Sequence, residues 1–400
     1  MNSWDKIAAR NHHTTDKGKI RPMKNLDLQE IRKQLDGIDQ EMVALFEKRM
    51  ELCREVAEFK IGTGKPVYDG EREQQKIDSV TGMVEGEFLK QAVRELFTQM
   101  MTISRNYQYK QMAENGLKAN HSFQPVKNLK LNGVRVVYQG VEGAYSHGAA
   151  LNYFGNEASL YHVTTWDDAM KEVELGNADY AVLPIENSSA GAVTDNYDLL
   201  MKYENYIVAE TFLTVNHALL GLPGAEEKDI RTVFSHPQAL MQCQEFLNSN
   251  RSWKQISVEN TAVAAKKVIL EGDLSQAAVA SETAGELYGL KVLRTQVNTN
   301  KNNTTRFIIL SREAVYQEEA GKISLSFELP HKSGSLYNIL SNFIYNGVNM
   351  FMIESRPVPG RNWEYRFFVD IEGNLSHASI QNALKGISEE GRNVRILGNY

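Results

Sequence analysis

Three cationic side chains lie on or beside the apolar stripe of one long helical pattern near the start of the chain, at Arg32, Arg49 and Lys60. On an α-helix, Arg49 and Lys60 are separated by about 20° of rotation and ~16 Å of rise, so their long side chains can converge. Arg32 lies ~25 Å from Arg49 along the axis and can join them only from a partner subunit. Paired guanidinium forks suit a dicarboxylate. The alternative interpretation is that the three stems pack on the core while their charged heads reach water.

Small polar residues dominate four strings at predicted strand ends or helix starts. The strings are GVEGAYSHGAA (140–150), PIENSSAGAV (184–193), SHPQALMQC (235–243) and NNTTRF (302–307). Taken singly, Ser146 and Ser235 fit ordinary N-caps, and Asn187 fits a turn. Taken together, Ser, Thr, Asn and Gly at several helix N-termini form anion-receptive sites that can close on one carboxylate ligand.

The elements that must position these residues begin with helices. From Leu28 to Lys60 apolar residues recur at three- and four-residue steps with no Pro and a single Gly, which predicts one long helix. Shorter helical patterns follow at 71–84 and 88–108. Their unshared apolar faces imply a bundle that a second chain completes. The polar, basic residues 1–25 are predicted to be disordered.

Two further blocks follow a stretch without periodicity at 109–132, which has the composition of a linker. The first block alternates short apolar runs with amphipathic stretches, as α/β folds do, and such folds bind ligands at the carboxyl ends of their strands. Strands are predicted at 134–138, 181–185, 232–234, 277–280 and 307–310. After Gly321 the predicted order of strand, helix, two strands, helix and strand is that of a ferredoxin-like module.

Composition excludes several classes of partner. The 44 Lys and Arg against 50 Asp and Glu give a net charge of −6, too small to indicate binding to nucleic acid or an anionic membrane. No apolar run approaches the roughly eighteen residues of a membrane span, and the first residues lack a secretory signal, so we expect a cytoplasmic protein. Cys53 and Cys243 are predicted to be buried small hydrophobes. No metal site is expected, because the nine His residues lack ligand spacing.

Residues 26 to about 110 resemble the all-helical class of chorismate mutases, through the strings IRKQLDGID, EKRMELCREVAEFK, KPVYDGERE and SRNYQ. The resemblance implies that Arg49 and the partner subunit's Arg32 grip the two carboxylates of chorismate, while Lys60 and Gln108 contact its ether oxygen. It also implies that Asp69, Arg72 and Glu73 line the hydroxyl side of chorismate and that Ser104 adds a polar contact. The rearrangement to prephenate needs no general base. Such a site works by holding the compact conformer and donating hydrogen bonds to the ether oxygen as the C–O bond breaks.

Residues 133–311 resemble prephenate dehydratase, a family of two α/β lobes arranged like a periplasmic binding protein, with the active site in the cleft between them. Thr305-Arg306-Phe307 matches the catalytic signature of that family. Prephenate loses CO2 and its ring hydroxyl together, and we assign Thr305 as the hydrogen-bond or proton donor to the leaving oxygen. Arg306 either binds a carboxylate or holds its own loop. The other candidates for the substrate cleft are Ser146, Glu186, Asn187, Ser188, Ser235, Gln238 and Phe307.

The C-terminal block resembles an ACT regulatory domain. Glu354-Ser355-Arg356-Pro357 matches the phenylalanine-sensing motif of dehydratases, whereas the motif that usually reads GALV is altered here to Gly334-Ser335-Leu336-Tyr337. The resemblance implies that phenylalanine binds as an effector between two paired regulatory domains. The implied effector-binding residues are Gly334, Ser335, Leu336, Glu354, Ser355, Arg356 and Pro357.

The whole chain thus resembles bifunctional chorismate mutase/prephenate dehydratases, with a mutase domain at 26–110, a linker at 111–132, a dehydratase domain at 133–311 and an ACT domain at 322–400. The implied function is conversion of chorismate through prephenate to phenylpyruvate, without a cofactor, in a homodimer or higher oligomer that phenylalanine inhibits. Two alternatives remain, namely arogenate as the dehydratase substrate and a non-catalytic amino-acid-binding regulator. Thr305 and the three cationic residues count against a pure sensor, because a sensor needs neither.

Overall fold

The computed structural model describes residues 27–116, 121–332 and 334–400. The chain divides into two compact units, one that ends at Glu55 and one that runs from Val56 to Tyr400. The segment predicted to be disordered, residues 1–25, lies outside the described residues. None of the described helices is long and apolar enough to cross a membrane.

Three helices form the helical region, residues 28–114: α1 (Leu28–Thr63), α2 (Gly70–Thr81) and α3 (Glu87–Glu114). The long helix predicted from Leu28 is confirmed. It forms because its sequence contains no Pro and consists mostly of strong helix formers. Asp69 begins α2 as its N-cap, since its carboxylate accepts a hydrogen bond from the backbone N–H of Arg72 at 3.0 Å. Large apolar side chains of this region stay exposed, with Phe88 at 82 % and Met83 at 72 %.

Strands and helices alternate through the central region. Its strands are β1 (Gln124–Val126), β2 (Arg135–Gln139), β3 (Ser159–Val163), β4 (Tyr180–Asn187), β5 (Gly191–Ala192), β6 (Tyr206–Thr214), β7 (Ala218–Gly221), β8 (Thr232–Ser235), β9 (Lys254–Ser257), β10 (Gln276–Ala280), β11 (Lys291–Arg294), β12 (Thr304–Ser311) and β13 (Val315–Gln317). Its helices are α4 (Tyr145–Phe154), α5 (Trp166–Glu174), α6 (Thr194–Lys202), α7 (Pro237–Gln242), α8 (Gln244–Ser249), α9 (Thr261–Glu271) and α10 (Glu282–Tyr288). The five strands predicted from apolar runs are confirmed as β2, β4, β8, β10 and β12.

Two sheets divide the central region into two lobes. The first lobe has the strand order β6-β12-β4-β2-β3, with β5 beside β4, and the second has the order β11-β7-β10-β8-β9. Apolar side chains pack on both faces of each sheet. In the first lobe β2 runs parallel to β3 and β4, and in the second β8 runs parallel to β9 and β10, so strand ends that bind ligands gather at one edge of each sheet. The predicted two-lobed α/β fold is therefore what the structure shows.

The C-terminal module, residues 322–400, has the βαββαβ order predicted for it. Its elements are β14 (Lys322–Glu328), α11 (Ser335–Tyr345), β15 (Met350–Pro357), β16 (Tyr365–Glu372), α12 (Ala378–Glu390) and β17 (Arg392–Asn399). The strands are ordered β15-β16-β14-β17 and pair antiparallel, and apolar residues of both helices pack against them. This is the ferredoxin-like arrangement.

The sheets of the first lobe and the C-terminal module join into one ten-stranded sheet. β17 pairs in parallel with β6 through Gly398 and Ile207. A Cβ atom at position 398 would lie 2.1 Å from the carbonyl oxygen of Ile207, so only glycine lets the two strands approach this closely. The first lobe is therefore connected to the module through backbone structure and not through a loose linker.

Two details differ from the simplest expectation. In the segment expected to be a linker, residues 124–126 form β1, which pairs with β13, because Phe123 before it is buried in the core of the C-terminal module. Cys243 is buried as predicted, and burial raises the pKa of its thiol to about 12. The same prediction is wrong for Cys53, which is only half-buried. It lies on α1, where most side chains are exposed and Ala57 is the one buried residue.

Candidate active sites

A cavity of about 360 Å³ lies between the two lobes. The first lobe contributes Ser146 on α4, Asn187 at the end of β4 and Thr305 on β12, and the second contributes Gln238 and Thr261 at the starts of α7 and α9. This is the edge of an α/β fold at which ligands bind. Five of the residues predicted from sequence are brought together here: Ser146, Asn187, Gln238, Thr305 and Phe307.

Thr305 and Asn187 face each other across the antiparallel strands β12 and β4. Asn187 Nδ2 donates hydrogen bonds to Thr305 Oγ1 at 2.9 Å and to Asn303 Oδ1 at 2.7 Å. The orientation of the amide follows from its other contacts, because Asn187 Oδ1 accepts from the backbone N–H groups of Ser189 and Ala190 at 3.0 and 2.9 Å. Thr305 Oγ1 is therefore an acceptor toward Asn187, and its own proton is available to a ligand in the cavity.

Three cavity residues that the sequence did not single out form a hydrogen-bonded chain. The hydroxyl of Tyr145 lies 2.9 Å from His217 Nδ1, and His217 Nε2 lies 3.0 Å from Gln242 Oε1. Burial lowers the pKa of His217, although the hydrogen bond with Gln242 opposes this, and burial raises the pKa of Tyr145 well above its usual value. Both side chains are neutral near pH 7. Tyr145 and Gln242 lie within two of the polar strings, so a signal for them was present, whereas His217 precedes a buried strand without any motif.

Three other candidates of the central region do not line the cavity. Ser235 is fully buried and donates to the carbonyl of Val279 at 2.5 Å. Ser188 Oγ donates to the carbonyl of Asn302 at 3.0 Å and accepts from the N–H of Thr304 at 2.9 Å. Both serines therefore hold neighbouring segments together. The third, Glu186 on β4, faces the Arg306 guanidinium at 3.8 Å.

Arg306 lies between two cavity residues in sequence but is not a cavity residue itself. Its buried guanidinium pairs with Glu210 at 2.7 Å and Asp370 at 2.7 Å, and donates to the Tyr400 hydroxyl at 2.7 Å. Burial alone would lower the pKa of Arg306, but Tyr400, Asp370 and Glu210 raise it overall. Because Asp370 and Tyr400 belong to the C-terminal module, the arginine ties the strand of Thr305 to that module. This placement favours a holding role over contact with a ligand.

In the first unit, α1 carries two of the cationic candidates. Arg32 is exposed, and Arg49 is half-buried with its Nη1 3.9 Å from Cys53 Sγ. The same stretch exposes large apolar side chains, with Leu45 at 68 % and Leu35 at 52 %. An apolar stripe of this kind on one helix is typical of a surface that packs against other helices.

In the second unit, the remaining candidates of the helical region lie on or beside α2 and α3. Lys60 Nζ donates to the carbonyl of Val67 at 2.6 Å, and Asp69 and Arg72 are exposed at the start of α2. Ser104 and Gln108 are buried, and Gln108 Nε2 donates to the carbonyl of Ser104 at 3.2 Å while its Oε1 has no hydrogen-bond partner. Glu73 on α2 forms an ion pair with Arg105 on α3. Arg105 belongs to the SRNYQ string but was not selected from it.

The two effector strings of the C-terminal module lie on different elements. Gly334 begins α11 with a φ of +82°, and Ser335 and Leu336 line a cavity of about 330 Å³. Residues 354–357 lie at the end of the edge strand β15 and do not line that cavity. Arg356 instead binds Asp198 of α6, with its Nε 3.2 Å from the carboxylate. A single chain does not bring the two strings to one cavity.

The two lobes, with a threonine hydroxyl held in the cavity between them, belong by sequence to the dehydratase class. The family model for prephenate dehydratase matches residues 136–315, and the model for chorismate mutase type II matches residues 31–109. Within the described parts of the chain, no group of three or more His, Cys, Asp or Glu side chains is placed to hold a metal ion.

Similar proteins identify the family. The bifunctional chorismate mutase/prephenate dehydratase of Escherichia coli strain K12 is 33 % identical over 376 residues, which cover 92 % of this chain and 95 % of that protein. An Arabidopsis thaliana protein named arogenate dehydratase/prephenate dehydratase 1 is 40 % identical over 283 residues, covering 67 % of this chain and 72 % of that protein. The structure of prephenate dehydratase from Arthrobacter aurescens in complex with L-Phe has a TM-score of 0.62 at 30 % identity, covering 67 % of this chain and 89 % of that one. The chain belongs to the family of bifunctional chorismate mutase/prephenate dehydratases.

Proposed function

We propose that the chain catalyses two consecutive steps of phenylalanine biosynthesis. The helical region rearranges chorismate to prephenate, and the cavity between the lobes converts prephenate to phenylpyruvate. Membership of a bifunctional enzyme family supports both activities and disfavours a non-catalytic regulator. The observation that carries the assignment of the cavity is the Thr305 hydroxyl, which accepts from Asn187 and keeps its own proton for a ligand.

The dehydratase step requires the ring hydroxyl of prephenate to leave as water. The C–C bond to the ring carboxylate breaks to release CO2, its electron pair forms the aromatic ring, and the C–O bond breaks. Thr305 is too weak an acid to be ionised at rest, so it donates its proton or hydrogen bond as charge develops on the departing oxygen. The N–H of Asn187 then stabilises the charge that develops on Thr305 Oγ1. The N-termini of α4 and α9 border the cavity and suit the carboxylates of the substrate.

The test of this assignment is kinetic. Thr305→Ala is expected to lower dehydratase kcat by about 10²- to 10³-fold, as removal of one transition-state hydrogen-bond donor does in other enzymes. Thr305→Ser keeps a hydroxyl and should retain more activity. Thr304→Ala, one position earlier on the same strand, is the matched control and should leave both activities near wild type. An alanine variant at 305 with ordinary dehydratase kinetics would refute the role.

For the mutase step, we infer that Arg49 and the partner subunit's Arg32 bind the carboxylates of chorismate, and that Lys60 and Gln108 donate to its ether oxygen. The buried amide of Gln108 uses one N–H of Nε2 toward the carbonyl of Ser104, so its second N–H is the donor for that oxygen. No covalent step or general base is needed, because holding the compact conformer supplies most of the catalysis. Asp69, Arg72 and Glu73 line the hydroxyl side of chorismate in this proposal, and Ser104 adds a polar contact.

The partner subunit is a second copy of this chain. The exposed apolar stripe of α1 would meet an identical stripe in a twofold dimer, and Phe88 and Met83 add exposed apolar area. Mixing inactive Arg32→Ala and inactive Arg49→Ala chains tests this arrangement. Half of the randomly mixed dimers carry one intact site of two, so about a quarter of wild-type mutase activity should return. No recovery despite verified subunit exchange would remove Arg32 from the partner's site.

L-phenylalanine is the proposed effector, and it would bind between the C-terminal modules of two subunits. The structure of a 30 % identical prephenate dehydratase in complex with L-Phe supports this, as does the exposed edge strand β15, which carries residues 354–357. Deleting the module is a poor test, because it removes Asp370 and Tyr400 from Arg306. The full-length double variant Glu354→Gln/Ser355→Ala should instead keep dehydratase activity and lose inhibition by phenylalanine. Unchanged inhibition would place the effector elsewhere.

Arogenate is the second candidate substrate, since the 40 % identical plant protein is named for both compounds. Arogenate has an amine where prephenate has a keto group, and Glu259 is the acidic residue among those that line the cavity. The kcat/KM values for both compounds should be compared in the wild type and in Glu259→Gln. If prephenate is the substrate, the wild type and Glu259→Gln should both have the higher kcat/KM with prephenate. If arogenate is the substrate, the wild type should prefer arogenate and Glu259→Gln should lose that preference.

A further inference from the structure

A buried arginine connects the helical region with the C-terminal module. Arg105 on α3 is 5 % exposed. Its Nη1 binds Glu73 Oε2 on α2, and its Nε lies 3.1 Å from Glu390 Oε1 at the end of α12. Its Nη2 donates to Thr102 Oγ1 at 3.0 Å, and the guanidinium lies over the Tyr68 ring, 5.3 Å from its centroid. Arg105 therefore bridges one glutamate from each region.

Two glutamates in the last turn of α12 are unfavourable for that helix alone, because the helix dipole favours cations at its C-terminus. The helical region explains them. Glu389 Oε2 accepts from the backbone N–H of Tyr68 at 2.7 Å and from the Tyr109 hydroxyl at 2.8 Å, and Glu390 pairs with Arg105. Burial raises the pKa of the Glu390 carboxyl, and the positive charge of Arg105 opposes that shift.

The ion cluster is not sealed in a core. A cavity of about 340 Å³ lies beside it, lined by Glu73, Arg105 and Glu390 and also by Lys332 and Ser335 of the C-terminal module. The side chains of Arg105 and Glu390 are 6 % and 8 % exposed, whereas that of Glu73 is 22 % exposed. Glu73 is therefore the most accessible member of the cluster and the one best placed to contact a ligand.

We propose that Arg105 is a positioning residue for the mutase reaction. It holds the Glu73 carboxylate in the rotamer that contacts the ring hydroxyl of chorismate, and Glu390 of the C-terminal module holds Arg105. The inference rests on the proposed function, which assigns Glu73 to the hydroxyl side of the substrate. Arg105 binds Oε2, so Oε1 is the oxygen that accepts from the substrate hydroxyl. An unrestrained glutamate samples several rotamers, whereas a charge-assisted contact to a buried arginine fixes one.

A double-mutant cycle in the full-length chain tests this inference. Arg105→Met and Glu73→Gln are each expected to lower mutase kcat/KM on chorismate about tenfold. Glu73→Gln loses the charge-assisted hydrogen bond to the substrate, and Arg105→Met loses the contact that holds Glu73 in position to make it. The double variant should lie within about threefold of either single variant, because the two residues act through one contact. With a chorismate analogue that lacks the ring hydroxyl, Arg105→Met and wild type should differ by less than about threefold.

The role of Glu390, which holds Arg105 from the C-terminal module, is tested by substitutions at the end of α12. Glu390→Gln should lower mutase kcat/KM about threefold, because Arg105 loses one of its two carboxylate partners. Glu389→Gln is the matched control, since it makes the same change one residue earlier without touching Arg105, and it should leave mutase kinetics unchanged. Dehydratase kinetics of the same preparations report folding. Arg105→Lys keeps the charge and should recover part of the mutase rate lost in Arg105→Met.

The outcomes separate this inference from the assignment beneath it. Wild-type kinetics in Glu73→Gln would overturn the assignment of Glu73 in the proposed function, and the inference with it. If Glu73→Gln costs tenfold but Arg105→Met does not, or if the two losses multiply, the positioning role is overturned and the proposed function stands. An equal loss on the analogue, or a parallel loss of dehydratase activity in both Arg105 variants, would make Arg105 a purely structural residue.

Discussion

Two buried arginines join the C-terminal module to the enzyme regions, and they do so through different kinds of structure. Arg306 lies in β12, inside the ten-stranded sheet, and its partners Glu210 and Asp370 lie on other strands of that sheet. Arg105 lies on a helix, and its partners Glu73 and Glu390 lie on two other helices beside an open cavity. A central strand cannot shift without breaking hydrogen bonds on both sides, whereas side chains between helices can change rotamer. The dehydratase region is therefore joined to the module within a sheet, and the helical region is joined to it through side chains between helices.

The two arginines also differ in how directly they reach the chemistry. Arg306 follows Thr305 in the strand, and alternation places the two side chains on opposite faces, so a shift of Arg306 reaches the Thr305 hydroxyl through one peptide unit. Arg105 reaches the proposed mutase residue Glu73 through a side-chain contact with its carboxylate. Movement of the C-terminal module should thus affect Thr305 through backbone and Glu73 through a side-chain contact.

The largest expected effect is on stability. Arg306→Met leaves Asp370, whose side chain is 4 % exposed, without its cation, which should cost about 3 to 5 kcal/mol and most dehydratase activity. Arg105→Met should cost less, because Glu73 is partly exposed and can be solvated, while Glu390, at 8 % exposed, has a raised pKa and can take up a proton instead. Urea unfolding of the two variants measures the difference. Equal destabilisation would contradict the distinction between the Arg306 contacts inside the sheet and the Arg105 contacts between helices.

A smaller effect concerns the pH dependence of stability through His217, which lines the dehydratase cavity. Burial lowers the pKa of His217 below its usual 6.5, so the unfolded chain binds more protons than the folded chain between the two values. The stability that neutral His217 contributes is complete above pH 6.5 and is lost as the pH falls through the lowered pKa. The free energy of unfolding should therefore decline below pH 6.5 more steeply in the wild type than in His217→Gln. Parallel pH profiles would show that His217 is not the group responsible.

The smallest expected effect separates two roles of Asp69 on the mutase side. Asp69 caps α2, so Asp69→Ala should cost about 1 kcal/mol of stability, whereas Asp69→Ser retains a capping oxygen and should cost little. If Asp69 also contacts chorismate, both variants should lose mutase activity several-fold. Full mutase activity in Asp69→Ser would make Asp69 a helix cap alone.

Most of the fold could be predicted from the sequence, because hydrophobic period marks helices and strands directly. The polar residues of the site were harder to predict. A serine at a helix start or a strand end looks the same in sequence whether it lines a cavity, as Ser146 of α4 does, or donates to a distant carbonyl, as Ser235 does to Val279. Only the packing of β8 beside β10 distinguishes the two.

The residues that the sequence did not reveal depend on contacts between distant segments. Arg105 and Glu390 are 285 positions apart, and no local pattern relates them. His217 meets Tyr145 and Gln242 only because the lobes close on one cavity. The apolar period of α3 predicts a buried face but not that Thr102, Ser104 and Gln108 share it. Polar residues on a buried helix face can be predicted only when the helices that pack against that face are known, and those helices lie elsewhere in the chain.

The central claim is that one chain carries two activities in separate sites, and both rates measured on one Arg49→Ala preparation test it most directly. Loss of the charge-assisted hydrogen bonds to a chorismate carboxylate should lower mutase efficiency by about 10- to 150-fold. Dehydratase kcat and KM on prephenate should stay at wild-type values. Comparable loss of both activities would contradict the claim, because it would make Arg49 structural or the two sites one.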